Sequence, residues 1–271
     1  MTFKDHFSNQ AADYAKFRPR YPSELFEYLG TVAQSRTLAW DCATGNGQAA
    51  VELAEVFDRV IATDASEKQI ANAQPHARVE YRVESAENSG LQSETVDLIM
   101  VAQALHWFDL HLFYAEARRV LRPNGVLAAS AYNLLKSEPA IDEVVNRYYY
   151  QVVGPFWPPE RELVEKFEKL PFPFPEVKAP SFEMVAQWNL ERLVGYLRSW
   201  SATQRFIAAI GRNPLEEIAD ELRDAWGDTR QTRRVIWPVT LRVGSMEFPS
   251  RRASKATENA ERSTLNIQHR I

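Results

Sequence analysis

Between residues 37 and 132 the apolar positions fall into short blocks whose spacing switches back and forth between two periods. Thr37–Trp40 is a brief apolar run, and "QAAVELAEVF" beyond it has helical spacing in good helix formers. "DRVIATD" is strand-like again and ends in Asp64, after which Ser66 and Gln69 form a capping-box pattern that starts a helix. "ARVEYRV" alternates as a third strand. "VDLIMVAQAL" is continuously apolar, as a strand covered on both faces of a parallel sheet must be. "LFYAEARRVL" predicts a helix stopped by the "RPNG" turn, and "GVLAASAY" a fifth strand. Strands separated by helices require right-handed crossovers, so the expected fold class is α/β with an open, doubly wound, mostly parallel sheet.

After Asn133 the regularity breaks. "AIDEVVNRYYYQVV" and "PERELVEKFEKL" predict helices, and the proline-rich "LPFPFPEVKAP" follows. This stretch, about 134–180, cannot extend a parallel sheet and is expected to be a helical cap laid across its edge. "SFEMVAQWN" predicts a sixth strand, and Asn213, Pro214 and Glu216 a capped helix start. "RRVIWPVTLRV" predicts a final strand pair or a bent edge strand, because Pro238 has no N–H for a central ladder. The expected organisation is a folded unit over 1–244, with a core at 1–133 and a closing part at 181–244. A polar, unpatterned tail at 245–271 is expected to be disordered.

Composition narrows the function classes. The 271 residues carry a net charge of −4 and show no basic stripe, which argues against a nucleic-acid surface. No apolar run approaches the ~20 residues of a membrane span, and the N-terminus lacks a signal-peptide layout, so a cytoplasmic protein is expected. Cys42 is the single cysteine, leaving no intrachain disulfide or cysteine-based zinc site, and no metal is expected.

The chemistry concentrates in "LAWDCATGNGQAA". Gly45 and Gly47 after a strand allow a tight turn and close backbone approach to a ligand. In dinucleotide-binding enzymes such a loop holds a pyrophosphate. Here Asp41 precedes it, and a carboxylate about 4 Å from a phosphate would cost ~4 kcal/mol at an effective dielectric of 20. The same carboxylate favours a cationic ligand, unless it caps the loop's own amides. Asp64, ending the next strand, is suited to ribose hydroxyls, with a turn or helix cap as its structural alternative.

Taken in order, "DCATGNGQ", "IATDAS", "VESAEN", "VAQALHWF" and "RVLRPNGVLAASAYN" resemble class I S-adenosylmethionine-dependent methyltransferases. "YAKFRPRYP" is similar to their small-molecule branch, the type 11 and trans-aconitate methyltransferase-like proteins. The resemblance covers residues 5–135 closely and 180–243 more loosely. It implies a Rossmann-like, seven-stranded sheet and S-adenosyl-L-methionine as cofactor, with S-adenosyl-L-homocysteine as product. It also implies that Asp41, Ala43, Gly45, Gly47 and Gln48 hold the methionine part, and that Asp64 and Ala65 hold the ribose and adenine. Ser85, Ala86 and Glu87 match the adenine-contacting segment, and Gln103 the end of the fourth strand. Two positions depart from the pattern. Ala43 replaces a frequent glycine, which demands a negative φ there, and Ser85 replaces an aspartate.

His106 is the candidate base if the acceptor must lose a proton, since histidine titrates near neutral pH. Its alternative is a structural hydrogen bond to a neighbouring loop. Tyr14, Arg18, Tyr21, Trp107, Tyr132, Trp157 and Trp200 are the candidate pocket residues, although aromatics at this density commonly serve packing. The expected activity is methyl transfer to a small-molecule acceptor by in-line displacement, in a monomer or homodimer without nucleic-acid or membrane partners. A non-catalytic S-adenosylmethionine-binding protein is the alternative. An NAD-linked oxidoreductase is disfavoured by Asp41 and "HWF".

Overall fold

The computed structural model describes residues 18–246. Tyr14, the rest of the N-terminal segment and the tail from 247 onward lie outside the described residues. The described residues begin with α1 (Ser23–Val32) and then alternate: β1 (Leu38–Cys42), α2 (Gln48–Ala54), β2 (Arg59–Asp64), α3 (Glu67–Ala71), β3 (Val79–Val83) and β4 (Val96–Ala102). A single 3-10 turn at Leu105–Trp107 leads to α4 (Leu110–Val120) and β5 (Leu121–Tyr132). The predicted cap contains α5 (Pro139–Arg147), α6 (Arg161–Glu165) and β6 (Glu176–Val177). Then come β7 (Phe182–Trp188), α7 (Leu190–Arg198), α8 (Ser201–Ile210), α9 (Ala219–Trp226) and β8 (Arg233–Ser245).

The sheet order is β3-β2-β1-β4-β5-β8-β6, with β7 also paired to β8. Val239 of β8 faces Tyr132 of β5 on one side and Phe182 of β7 on the other, so β6 and β7 share the far edge of β8. The sheet therefore has eight strands rather than the expected seven, because the far edge of β8 is divided between β6 and β7. β1 to β5 are mutually parallel and β8 is antiparallel to its neighbours. The order reverses between β1 and β4, the switch point where open α/β sheets bind ligands.

Each face of the sheet carries its own apolar layer. One joins α1, α2, α7 and α9 to Leu98, Met100, Val126 and Ala128; the other joins α4 to Trp40, Ile99, Val101 and Leu127. Trp40 locks β1 to β2 by donating its indole N–H to the Thr63 hydroxyl at 2.9 Å. At the opposite end of β1, buried Asp97 accepts the Thr37 and Leu38 amides and pairs with Arg122 at 2.8 Å. Ser66 caps α3 as its pattern predicts, accepting from the Gln69 amide.

Five local expectations are corrected. The "RPNG" turn does not stand between helix and strand but lies inside β5, as an irregularity opposite Val96–Leu98 with Asn124 at φ +63°. A short amide side chain tolerates that left-handed conformation. The 148–152 end of the first cap helix widens into a π-turn, and Asn213 caps a 3-10 turn at Pro214–Glu217 before α9 starts. β8 is one internal strand rather than a pair or an edge. Pro238 fits because the β5 ladder stops at Tyr132–Val239 and pairing on that side resumes only at Lys136–Ile236, a break that needs no N–H from it. Finally, Ser245 belongs to β8, buried and paired with Val126, rather than to the tail.

Candidate functional site

Because β1, β2, β4 and β5 run parallel, their carboxyl ends gather residues distant in sequence into one crevice. Asp41, near the end of β1, is fully buried. Its Oδ2 accepts the Thr44 hydroxyl at 2.5 Å, whereas Oδ1 is buried without a hydrogen-bond partner. Burial pushes the Asp41 pKa from an ordinary 3.8 to about 7; the Thr44 bond and, more weakly, the Ala50 backbone amide oppose this, while the nearby Asp64 charge adds to it. A buried acceptor left open costs ~1–3 kcal/mol, which a cationic N–H group of a ligand would remove.

Asp64 takes the structural duty that Asp41 does not. Its Oδ2 accepts the Gly45 amide and its Oδ1 the Ser66 amide, each at 2.9 Å, so the carboxylate pins the glycine loop to the end of β2. The loop itself needs its glycines for different reasons. At Gly47 (φ +86°) a Cβ would lie 2.2 Å from the Tyr81 hydroxyl, whereas at Gly45 (φ +57°) it would meet nothing within 4 Å. Gly45 thus presents bare backbone to open space, and Gln48 opens α2 directly behind it.

Ala43 corrects an expectation. Its φ is +56°, not negative, even though it carries a Cβ. Gln103, one residue past β4, also lies at φ +57°. Both are fixed by bonds on either side. Thr44 donates its amide to the Thr63 carbonyl at 2.9 Å, and Gln103 its amide to the Ser130 carbonyl at 2.8 Å. The Gln103 side chain then imitates a strand, donating to the Tyr132 carbonyl and accepting the Tyr132 amide. A left-handed non-glycine residue costs ~1–2 kcal/mol, and both such costs sit at adjacent strand ends of the crevice.

The remaining expected positions divide by what they touch. Ala65 is exposed just past β2, and Ala86 is buried in the loop after β3. The Ser85 hydroxyl accepts the Asn88 amide, and Glu87 accepts the Asp109 amide at 3.1 Å, steadying the start of α4. His106 is buried (8% exposed), its ring lies 4.6 Å from that of Trp107, and its Nδ1 has no hydrogen-bond partner. Burial, with the Arg161 charge, lowers its pKa to about 3 against a smaller opposing pull from Glu160. It is therefore neutral near pH 7 and holds a proton poorly. Arg18 donates to the Tyr132 hydroxyl at 3.4 Å and lies over the Tyr196 ring, while Tyr21 packs edge-on against Tyr132. Trp200 is buried among Tyr148, Tyr149, Trp157 and Tyr196, so it seats the cap; Trp157 is half-buried and packs at a tilt against Tyr149.

Three residues escaped the sequence reading. Thr44 serves Asp41, Tyr196 joins Arg18 to Trp200 and to Trp237 of β8, and the charge of Arg161 on the cap bears on His106. Thr44 lay inside the quoted loop, but nothing in the residue pattern linked positions 161 or 196 to the crevice. Among the described residues no cluster of His, Cys, Asp or Glu could hold a metal, and no helix is long and apolar enough to cross a membrane. The residues fit an amino acid–nucleoside cofactor with a cationic group: an open carboxylate oxygen at Asp41, half-buried backbone with no side chain at Gly45 and an acid at Asp64.

Comparison with known proteins agrees with this geometry. Residues 40–129 match the methyltransferase domain family. A Dictyostelium discoideum protein that carries the name of a methyltransferase is 36% identical over 253 residues, spanning 90% of this chain and 96% of the relative. A Schizosaccharomyces pombe protein named as an uncharacterized methyltransferase is 29% identical over 78% of this chain and 82% of its own. Among solved structures, one from Anaeromyxobacter dehalogenans, described as a type II methyltransferase, superposes with a TM-score of 0.81. Its identity is 48%, over 85% of this chain and 98% of that one.

Proposed function

The chain belongs to the class I S-adenosylmethionine-dependent methyltransferases, and from that premise we propose that it methylates a small-molecule acceptor held between the strand ends and the cap. The observation that carries the cofactor's placement is the open, fully buried Oδ1 of Asp41. A cofactor ammonium there would meet a charge-assisted acceptor, and its binding would draw the Asp41 pKa back below 7. Asp64 would accept from the ribose hydroxyls while still holding Gly45, and Ala86 would line the adenine side. When bound, S-adenosylmethionine supplies a methyl carbon already activated by its sulfonium.

What the protein adds is alignment, worth up to about 7–11 kcal/mol in model systems. The two left-handed residues, Ala43 and Gln103, set the crevice walls in fixed positions before any ligand arrives. His106 would serve as a hydrogen-bonding group rather than a base, because a group that releases its proton at about pH 3 cannot retain one taken from an acceptor. The cap is seated through the contacts of Tyr148 and Tyr149 with Trp200, and a crevice closed by it would suit a small acceptor rather than a polymer.

Parallel calorimetric titrations with S-adenosylmethionine, S-adenosylhomocysteine and NAD test the cofactor, and turnover over a panel of metabolites tests the acceptor class. The expected result is binding of the first two only, with methyl transfer to at least one small molecule. Retention of NAD with no response to S-adenosylhomocysteine would overturn the cofactor. Tight homocysteine-nucleoside binding, with methylation confined to protein or nucleic acid, would overturn the acceptor.

A further inference from the structure

Tyr81 lies in the edge strand β3 and pairs in register with Ala62 of β2, which pairs in turn with Asp41 of β1. Side chains in one such row of a parallel sheet point to the same face. Tyr81 and Asp41 therefore share the face that α2 covers, with Ala62 packed between them. Ala62 is fully buried and has no side chain beyond its Cβ, which leaves room for the Tyr81 ring to lean across β2. The two ends of the row sense each other: burial, and after it the Asp41 charge, raise the Tyr81 pKa to about 12.

The ring ends on the glycine loop. A Cβ at Gly47 would overlap the Tyr81 hydroxyl and lie 2.9 Å from Cζ and 3.0 Å from Cε1, so Gly47 is buried under the phenol. Gly45 is only half-buried, and a Cβ there would meet nothing within 4 Å. The Tyr81 hydroxyl donates to the Gln74 carbonyl at 2.6 Å, and the Gln74 amide donates to the Asn46 carbonyl at 3.0 Å. Asn46, Gly47, Tyr81 and Gln74 thus close a ring of contacts between the loop and the α3–β3 connection. The first half of the loop is tied separately, by the Thr44 amide to the Thr63 carbonyl and the Gly45 amide to Asp64. Packing on the sheet face requires only the ring of Tyr81; the hydroxyl adds the tie to Gln74.

We infer that Tyr81 is a positioning residue for the cofactor: it clamps the Asn46–Gly47 half of the glycine loop to the α3–β3 connection and so fixes the Gly45 backbone where the ligand meets it. The two glycines then answer to different partners. Gly45 is open toward the ligand, whereas Gly47 is a glycine because Tyr81 occupies the place of its side chain. Without the clamp the loop would have to be ordered as the cofactor binds, and that ordering is subtracted from affinity. The inference rests on the methyltransferase reading for the ligand's identity, and it adds to the cofactor site a residue two strands away from β1. Tyr81 acts through Gly47 and Gln74 rather than by contact with the reacting atoms.

The first test is calorimetric titration of S-adenosylhomocysteine into wild type and Tyr81→Phe, which keeps the ring and loses the hydroxyl. Affinity should fall about three- to tenfold, the scale of one neutral hydrogen bond. Amide hydrogen exchange on the ligand-free proteins supplies a measurement that a merely structural tyrosine would not move. The Gly47 and Gln74 amides should exchange faster in Tyr81→Phe, while the Gly45 amide held by Asp64 and the β1–β2 ladder stay as in wild type. The second test is a double-mutant cycle. Gly47→Ala alone should weaken S-adenosylhomocysteine binding about tenfold or more. In a Tyr81→Leu background the same substitution should cost at least about threefold less, because the strain of a positive φ at 47 is common to both and cancels. Unchanged affinity in Tyr81→Phe, faster exchange across the whole sheet, or additivity in the cycle overturns the inference. If Gly47→Ala does not fold, the Tyr81→Phe measurements decide alone. Failure of the methyltransferase reading shows separately, as wild-type protein that does not bind S-adenosylhomocysteine, and the exchange comparison then still decides whether Tyr81 clamps the loop.

Discussion

Replacing Asp41 by Asn removes a charge that the fold disfavours and the cofactor wants, so stability and affinity should move in opposite directions. Burial raises the Asp41 pKa from 3.8 to about 7, roughly three pH units, or ~4 kcal/mol at 1.36 kcal/mol per unit. A carboxyl whose folded pKa is raised holds its proton more tightly in the folded state. Its stabilising contribution is therefore full below about pH 4 and is lost as the pH climbs to about 7. The protonated carboxyl is close in shape and polarity to the amide, so wild type and Asp41→Asn should have similar stability near pH 4. By about pH 8 the apo variant should be the more stable, by up to ~4 kcal/mol.

His106 makes the comparison sharper because its sign is opposite. Its pKa is depressed by burial from 6.5 to about 3, so the unfolded chain takes up a proton first and stability falls as the pH drops below 6.5. In the wild type the two contributions oppose one another between about pH 4 and 6.5. In Asp41→Asn only that of His106 is left, and the variant should gain about 1.4 kcal/mol per pH unit relative to wild type across this window. Urea unfolding from pH 4 to 8 measures the difference; contributions from other groups, such as Glu80 and Glu116, are common to both proteins and cancel. S-adenosylhomocysteine affinity should meanwhile fall by about tenfold or more, the loss of a hydrogen bond to a charged group. Wild-type binding should release protons, and it should weaken about tenfold per unit below pH 7. An Asn variant that is less stable at pH 8, or that binds the nucleoside unchanged, would refute the reasoning.

Asp64→Ala should lower S-adenosylhomocysteine affinity more than tenfold, about 1.4 kcal/mol, and also lower stability by ~1.5–3 kcal/mol through the freed Gly45 and Ser66 amides. Calorimetry and chemical unfolding report the two losses separately, and intact affinity would remove Asp64 from the site. Ala43→Gly relieves a left-handed alanine at some cost in chain entropy, so stability should rise by up to ~1 kcal/mol; a clear loss would show that the Cβ contributes more than its backbone conformation costs. Trp200→Ala should cost ~3–5 kcal/mol as a buried aromatic truncation. The half-buried Trp157 should cost less in thermal unfolding, and its loss should alter acceptor selectivity once an acceptor is known.

The alternation of periods was sufficient to read the parallel half of the sheet, because each strand's apolar run and each helix's spacing are local properties. Asp41, Asp64 and the glycines were legible for the same reason: a strand end, an acid and a tight turn are adjacent in sequence. β8 was misread because Pro238 was judged against a uniform ladder. Its tolerance comes from Lys136 rejoining the strand beyond a break, a pairing a hundred residues away in the chain. Ala43 was misread because a Cβ argues against positive φ when a residue is considered alone. The amide bonds of Thr44 and Gly45 to Thr63 and Asp64 outweigh that local preference.

The parts of the site that resist sequence reading share one physical character: they are defined by what a side chain lacks. Asp41 could have capped its loop, and the pattern left that alternative open; only the position of Asp64 takes those amides away and leaves Oδ1 without a donor. Arg161 sits in a helix rich in glutamates and would be expected to pair with one of them. The π-turn at Tyr148–Val152 belongs to the segment that instead supplies the Tyr149 ring and hydroxyl, which hold the guanidinium flat and keep Glu165 at one remove. Both features are thus set by contacts between elements distant in the chain, the Asp41 carboxylate by the loop it leaves to Asp64 and the Arg161 guanidinium by the ring and hydroxyl of Tyr149.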